Sequence, residues 1–220
     1  MAVEAVIWDF GGVFTSSPFE AFNRYEAEKG LPRDLIRKVN STNPDHNAWA
    51  LFERNEIDGA GFDRLFLEES TALGHPVPGR EVLPLLSGQL RPRMVAALKA
   101  CKAQFKVGCI TNNVVSEHSP GQDAGQRMAG AMGLVMPLFD AIIESSKAGV
   151  RKPDPKIYQM MCELLAVDAA NCVYLDDLGI NCKPAAQLGM RAIKVVEVDQ
   201  TLAELSAATG LIFDDEETPA

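Results

Sequence analysis

No stretch of this 220-residue chain approaches the ~18 consecutive apolar residues that a bilayer-spanning helix needs, because charge interrupts every candidate run. A membrane span is not expected. The N-terminus lacks a basic segment followed by an apolar one and a small-residue cleavage site, and Asp9 breaks the first short apolar run, so secretion is not expected either. Basic residues are in deficit, with 21 Lys and Arg against 30 Asp and Glu for a net charge of −9, and no Lys/Arg run is interleaved with aromatics. Such a chain repels phosphate backbones, which argues against a nucleic-acid partner. Cysteines are few and odd in number: Cys101, Cys109, Cys162, Cys172 and Cys182, none paired as C-x-x-C. Their apolar surroundings suit reduced core thiols and a cytoplasmic setting. Internal repeats and low-complexity tracts are also missing. The acidic run at 214–217 reads as a solvated end, and the loop-forming stretch at 116–130 breaks the helical pattern.

What remains is ample for a globular fold. With 47% hydrophobic residues, the chain can bury one substantial core, or a core with a small appended subdomain. Residues 3–8 (VEAVIW) form a β-rich run that delivers Asp9 into a glycine turn. From about residue 18 to 90 the spacing turns helical, carried by Phe19, Phe22, Tyr25, Trp49, Phe52, Phe62 and Phe66. That spacing makes these aromatics packing residues before it makes them pocket residues. A helix follows Arg91-Pro92. Apolar runs at 105–110, 139–143, 172–175 and 192–196 then alternate with helical segments. This β-α-β rhythm predicts a doubly wound, Rossmann-like parallel sheet. Ligands in such sheets sit beyond the carboxyl ends of the strands, where Asp9, Thr111 and Asp176-Asp177 are expected to meet.

Each of these features has a plain reading when taken alone. Asp176-Asp177 is a potential helix N-cap with a solvated neighbour, Thr111-Asn112-Asn113 a turn, and Lys152 a surface lysine stiffened by Pro153 and Pro155. In combination they carry more. WDFGGVF (8–14), ITNN (110–113), RKPDPKIY (151–158) and YLDDLGIN (174–181) stand in the order of the four motifs of the haloacid dehalogenase superfamily, and the chain resembles that superfamily over nearly its whole length. Within it, the sequence is most similar to the phosphatase domain at the N-terminus of soluble epoxide hydrolases and to small bacterial sugar-phosphate phosphatases.

The resemblance implies a Mg²⁺-dependent phosphatase acting on a small phosphorylated metabolite. Asp9 would be the nucleophile, Thr111 and Asn112 would hydrogen-bond the phosphoryl group, and Lys152 would neutralise it. Asp9, Asp177 and the Gly11 carbonyl would hold the metal, with Asp176 and Asn181 in support. It also implies a core of residues 1–17 and 91–220 and an inserted helical cap at 18–90, with hinges near 15–17 and 86–91. Oligomeric state stays open. Lys147 and Arg151 flank Lys152 and offer the same charge.

One position departs from the pattern. The family's phosphatases usually carry an aspartate two residues after the nucleophile to protonate the leaving oxygen; here it is Gly11. A general acid contributes ~10²–10⁴-fold in rate. Its loss leaves three outcomes: a leaving group needing little protonation, such as a sugar 1-phosphate or acyl phosphate; a substitute acid from the insert, with His46 and Glu53 as candidates; or a catalytically weak phosphate-binding module. A 2-haloacid dehalogenase is the rival chemistry, against which Asp176-Asp177 argues.

Overall fold

The computed structural model describes residues 2–86, 88–113, 130 and 132–213. The acidic run at 214–217 and all but Gly130 of the stretch at 116–130 lie outside the described residues.

Five strands form one parallel sheet: β1 (Ala5–Trp8), β2 (Lys106–Thr111), β3 (Ala141–Glu144), β4 (Cys172–Asp176) and β5 (Arg191–Lys194), in the order β3-β2-β1-β4-β5. The central strands read as continuous apolar runs because both of their faces are covered, and every residue of β1 and β4 is buried. The edge strands β3 and β5 are partly exposed. The ladder runs one residue past the apolar stretches. Thr111 still pairs with Glu144 and Asp176 with Lys194, so the polar residues are the last residues of strands rather than the first of loops.

Side chains alternate across the sheet. Val6, Trp8, Val107, Cys109, Val173 and Leu175 pack with Met94 and Leu98 of α6 (Pro92–Lys102) and with Leu202 and Leu205 of a helix at Val198–Thr209. Ala5, Ile7, Ile110 and Tyr174 face the other way, onto Ile157, Tyr158 and Met161 of a helix at Pro155–Leu165 and Ala185 of one at Gly179–Gln187. With the single-turn helix α7 (Ser145–Ala148) counted, these three are α10, α8 and α9.

Between β1 and α6 lie five helices: α1 (Pro18–Lys29), α2 (Leu35–Ser41), α3 (Ala48–Glu53), α4 (Gly59–Ala72) and α5 (Gly79–Val82). They bury a hydrophobic cluster of their own, centred on Phe22, Ile36, Trp49, Phe52, Phe62 and Phe66, with Phe19 and Tyr25 at its margin. Side chains fix three of these helix starts, with Asp58 Oδ1 accepting from Gly61 N (2.8 Å) to cap α4. Asn47 Oδ1 accepts from Ala50 N (2.9 Å) to cap α3, and the buried Glu26 accepts from Asp34 N (2.7 Å) and Ile36 N (2.8 Å) at the head of α2. The chain enters and leaves this segment side by side: Ser16 N donates to Gln89 O (2.8 Å), Arg91 N to Phe14 O (2.7 Å), and Thr15 bridges Leu90. All five cysteines are free, and no described helix is long and apolar enough to cross a membrane.

Candidate functional site

The parallel register carries the ends of β1, β2 and β4 to one edge of the sheet, with Trp8 level with both Cys109 and Leu175. Asp9, one residue on, donates its backbone N–H to Leu175 O (2.8 Å) and so lies beside Asp176. The order of strands reverses about β1, the place where open α/β sheets bind ligands.

At this edge Lys152 is buried and joins two carboxylates: its Nζ lies 2.7 Å from Asp9 Oδ1 and 2.8 Å from Asp176 Oδ2. Asp9 Oδ1 also accepts from Phe10 N (2.7 Å). Asp176 is fully buried and its oxygens are saturated. They accept from Tyr174 OH (2.5 Å), Asn181 Nδ2 (3.1 Å) and Leu178 N (2.8 Å) in addition to Lys152. Asp176 is therefore an anchor for the lysine and for the loop after β4. Asp177 is half-buried, and its carboxylate completes a cluster in which one oxygen each of Asp9, Asp176 and Asp177 lies within 4.8 Å of the others.

Three carboxylates around one ammonium leave an excess of negative charge in a dry place. Burial pushes the Asp9 carboxyl up to about 8, with Lys152 opposing and Asp176 and Asp177 adding. Burial and Asp176 raise Asp177 to about 6. Burial works against the Lys152 charge, but Asp176 and Asp9 hold it above the ordinary lysine range. An all-oxygen donor set with surplus negative charge suits a hard divalent cation, so these residues fit Mg²⁺.

The three basic candidates separate. Lys152 is the one against Asp9. Arg151 pairs through Nη2 with Glu53 Oε2 (2.6 Å), and the exposed Lys147 pairs with Glu144. Thr111 is buried at the end of β2. The Asn112 side chain is committed to the Lys152 backbone, its Oδ1 accepting from Lys152 N (2.9 Å) and its Nδ2 donating to Lys152 O (3.1 Å). Asn181 braces Asp176 as described above. Of the two candidate substitute acids, His46 is exposed, whereas Glu53 is brought from α3 to within 3.3 Å of Asn112 Nδ2.

Three contributors escaped the sequence reading. Gly12 has φ +71°, and a Cβ there would lie 2.2 Å from Asp177 Oδ2, so only glycine lets that carboxylate close on the turn. The doubled glycine after a strand is the signal that could have found it. Tyr174 stands two residues before Asp176 on the same strand and so projects to the same face, an i, i+2 relation open to inspection. Ser145 gave no signal. At Gly11 the opposite holds from Gly12: a Cβ would meet nothing within 4 Å, and the backbone is outside the left-handed region.

A family model for haloacid dehalogenase-like hydrolases matches residues 3–189. A bifunctional epoxide hydrolase 2 of Rattus norvegicus is 34% identical over the whole chain, and a sesquiterpene phosphatase of Aspergillus oryzae is 29% identical over 94% of this chain and 97% of its own. The chain spans less than half the length of the epoxide hydrolase, 41%. Among solved structures, a HAD family enzyme of Bacteroides thetaiotaomicron in complex with magnesium and inorganic phosphate superposes with a TM-score of 0.58 at 17% identity, covering 88% of this chain and 94% of that one.

Proposed function

We propose that this chain, which belongs to the haloacid dehalogenase-like hydrolases, is a Mg²⁺-dependent phosphatase that hydrolyses a small phosphorylated metabolite through an aspartyl-phosphate on Asp9. One observation carries the reading: the Asp9 carboxylate stands one residue beyond a central strand, 2.7 Å from the buried Lys152 ammonium, inside a cluster of carboxylates suited to a cation. A phosphatase name on a relative matched over nearly its full length supports it.

Asp9 attacks phosphorus in line; the bond to the leaving oxygen breaks and an acyl phosphate forms on Asp9. Water then attacks the same phosphorus and frees the carboxylate. Lys152 balances charge on the transferring group, and the Thr111 hydroxyl donates to one of its oxygens. Asp9, Asp177 and the Gly11 carbonyl would hold Mg²⁺, with Asp176 and Asn181 holding Lys152 and the loop in place. Bound there, the cation supplies the charge neutralisation that lets a carboxylate meet a phosphate. Residues 1–17 and 91–220 serve as the hydrolase core and residues 18–90 as a cap that excludes water and selects the substrate. The partner is a small molecule in a cytoplasmic setting, with neither nucleic acid nor membrane involved. Because Gly11 carries no acid, the favoured substrates have leaving groups that need little protonation, such as acyl phosphates and sugar 1-phosphates.

Gly11 also favours a second reading, a phosphate-binding module with weak turnover. A dehalogenase attacking carbon has no use for the clustered acids. Phosphate release from acetyl phosphate, glucose 1-phosphate and glycerol 3-phosphate, with Mg²⁺ or chelator and beside Asp9→Asn, separates the three. The phosphatase requires both Mg²⁺ and Asp9. Calorimetric binding of inorganic phosphate without turnover would support the module, and halide release from a 2-haloacid in chelator would support the dehalogenase.

A further inference from the structure

We infer that Glu53 is a positioning residue for the phosphate site, acting through Arg151 and Asn112, so that the seating of the helical segment is transmitted to Lys152. The inference rests on the phosphatase reading of the site.

Glu53 is the last residue of α3, and the helix holds it firmly from behind. Asn47 caps the start of α3, and its apolar residues Trp49 and Phe52 pack on the Phe62 ring at centroid distances of 4.7 and 4.9 Å. From this base Glu53 reaches three groups of the α/β part. Its Oε2 pairs with Arg151 Nη2 at 2.6 Å and accepts from Asn112 Nδ2 at 3.3 Å, and its backbone carbonyl accepts from Ser145 Oγ at 2.7 Å. Arg151 returns to the same segment, its Nη1 donating to Pro44 O (3.0 Å).

All three groups lie next to the chemistry. Arg151 precedes Lys152 in the chain, and Asn112 follows Thr111 and clamps the Lys152 backbone from both sides. Ser145 Oγ accepts from the N–H of Asn113, the next residue on (3.2 Å). One carboxylate on the insert therefore ties down the residue before the phosphate-binding lysine and the side chain that clamps that lysine's backbone. The pair is largely desolvated, with side-chain exposures of 16% for Glu53 and 21% for Arg151, so removing either partner leaves the other charge uncompensated. Arg151 also keeps a buried Nε with no partner among the described residues, a donor left over after Glu53 and Pro44 are served.

A proton-donating role for Glu53 fits this geometry less well. Burial raises its carboxyl on balance, with Arg151 opposing, but the geometry speaks for the ionised form: both contacts of Oε2 are to donors, and one of them is a guanidinium.

The test is a double-mutant cycle on Glu53 and Arg151 in the full chain, read with acetyl phosphate, whose leaving group needs no acid, and glycerol 3-phosphate, whose leaving group does. For Glu53→Ala the expected result is a KM, and a Ki for inorganic phosphate, raised about tenfold, with kcat lowered by less than about threefold and equally for both substrates. Arg151→Ala should do the same, and the double variant should be little worse than either single one. Glu53→Gln, which keeps an acceptor for Asn112 and the packing of α3, should fall between and guard against misfolding. Additive effects, or no effect, would overturn the inference. A loss of kcat concentrated on glycerol 3-phosphate would also overturn it, by making Glu53 the proton donor itself. Should the wild-type protein release no phosphate, the phosphatase reading falls alone, because the same cycle is then read in the Kd for inorganic phosphate by calorimetry.

Discussion

Arg151 and Lys152 are neighbours in the chain with the same charge, yet they answer to different parts of the molecule. Lys152 turns into the sheet edge, where it is 1% exposed and its partners Asp9 and Asp176 are fixed by strand pairing. Arg151 turns outward to Glu53 and Pro44, both delivered by the helical segment. Strand register places both carboxylates of the first ion pair, and the insert reaches Lys152 only indirectly, through Arg151 and the Asn112 clamp on its backbone. The second exists only while the insert is seated. The strand tips thus fix the two carboxylates, and the residue next to Lys152 carries the direct contact with the helical segment.

The comparison breaks hardest at Asp9. On the phosphatase reading, Asp9→Asn removes the nucleophile, and turnover should fall by on the order of 10⁶, to background. Stability should hold or rise in a thermal melt, since Lys152 keeps Asp176 and the crowded carboxylates lose one charge. Residual turnover within tenfold of wild type would dismiss Asp9 as nucleophile. Asp176 should behave in the opposite way. Asp176→Ala strips a buried lysine of one partner and orphans bonds from Tyr174, Asn181 and Leu178, so it should cost about 3–5 kcal/mol. For a chain of this size that is a fall in Tm of roughly 10 °C. A melt within ~2 °C of wild type would show that the anchor is dispensable.

These two roles were unequally legible in the sequence. Asp9 stood out because an apolar β-run stopped at an acid and a glycine pair, and that local pattern is what a strand tip looks like. The pairing of Asp176 with Lys152 was not read: the resemblance made Asp176 a support of the metal site, and nothing local to LDDL says which aspartate turns inward. The helical segment was legible as packing, since the 3.6-residue spacing of Phe62 and Phe66 is a short-range property, and both are buried as that spacing implies. Its contact with the sheet edge was legible only in outline: Glu53 was a candidate acid from the insert, but its partners Arg151 and Asn112 meet it only after the whole segment has folded back. Gly12 was passed over because its requirement comes from Asp177, far along the chain.

A gain of function sharpens the same contrast. The space beside Gly11 is open, so Gly11→Asp should fit without displacing anything and place an acid on the core side of the site. On glycerol 3-phosphate kcat should rise by about 10- to 100-fold, at the low end of what a general acid contributes, with little change on acetyl phosphate. Equal gains on both substrates would mean that the new carboxylate acts on the metal site rather than on the leaving oxygen. No gain on either would mean that the insert already supplies the proton.

Lys147 sets the floor for the comparison. In the sequence it is the third member of the basic group with Arg151 and Lys152, but its side chain is 76% exposed and its partner Glu144 is a near neighbour on the same turn. Solvent screens such a pair, and holding a long side chain in place costs entropy, so the net contribution is below about 1 kcal/mol. Lys147→Ala should leave KM, kcat and the Ki for inorganic phosphate within about twofold of wild type and shift the melt very little. A tenfold rise in KM would place a third positive charge at the phosphate site. That result would put the division between residues 151 and 152 in doubt as well, because charge would then act there through its summed field rather than through the two partnerships that distinguish a residue of the core from a residue of the seam.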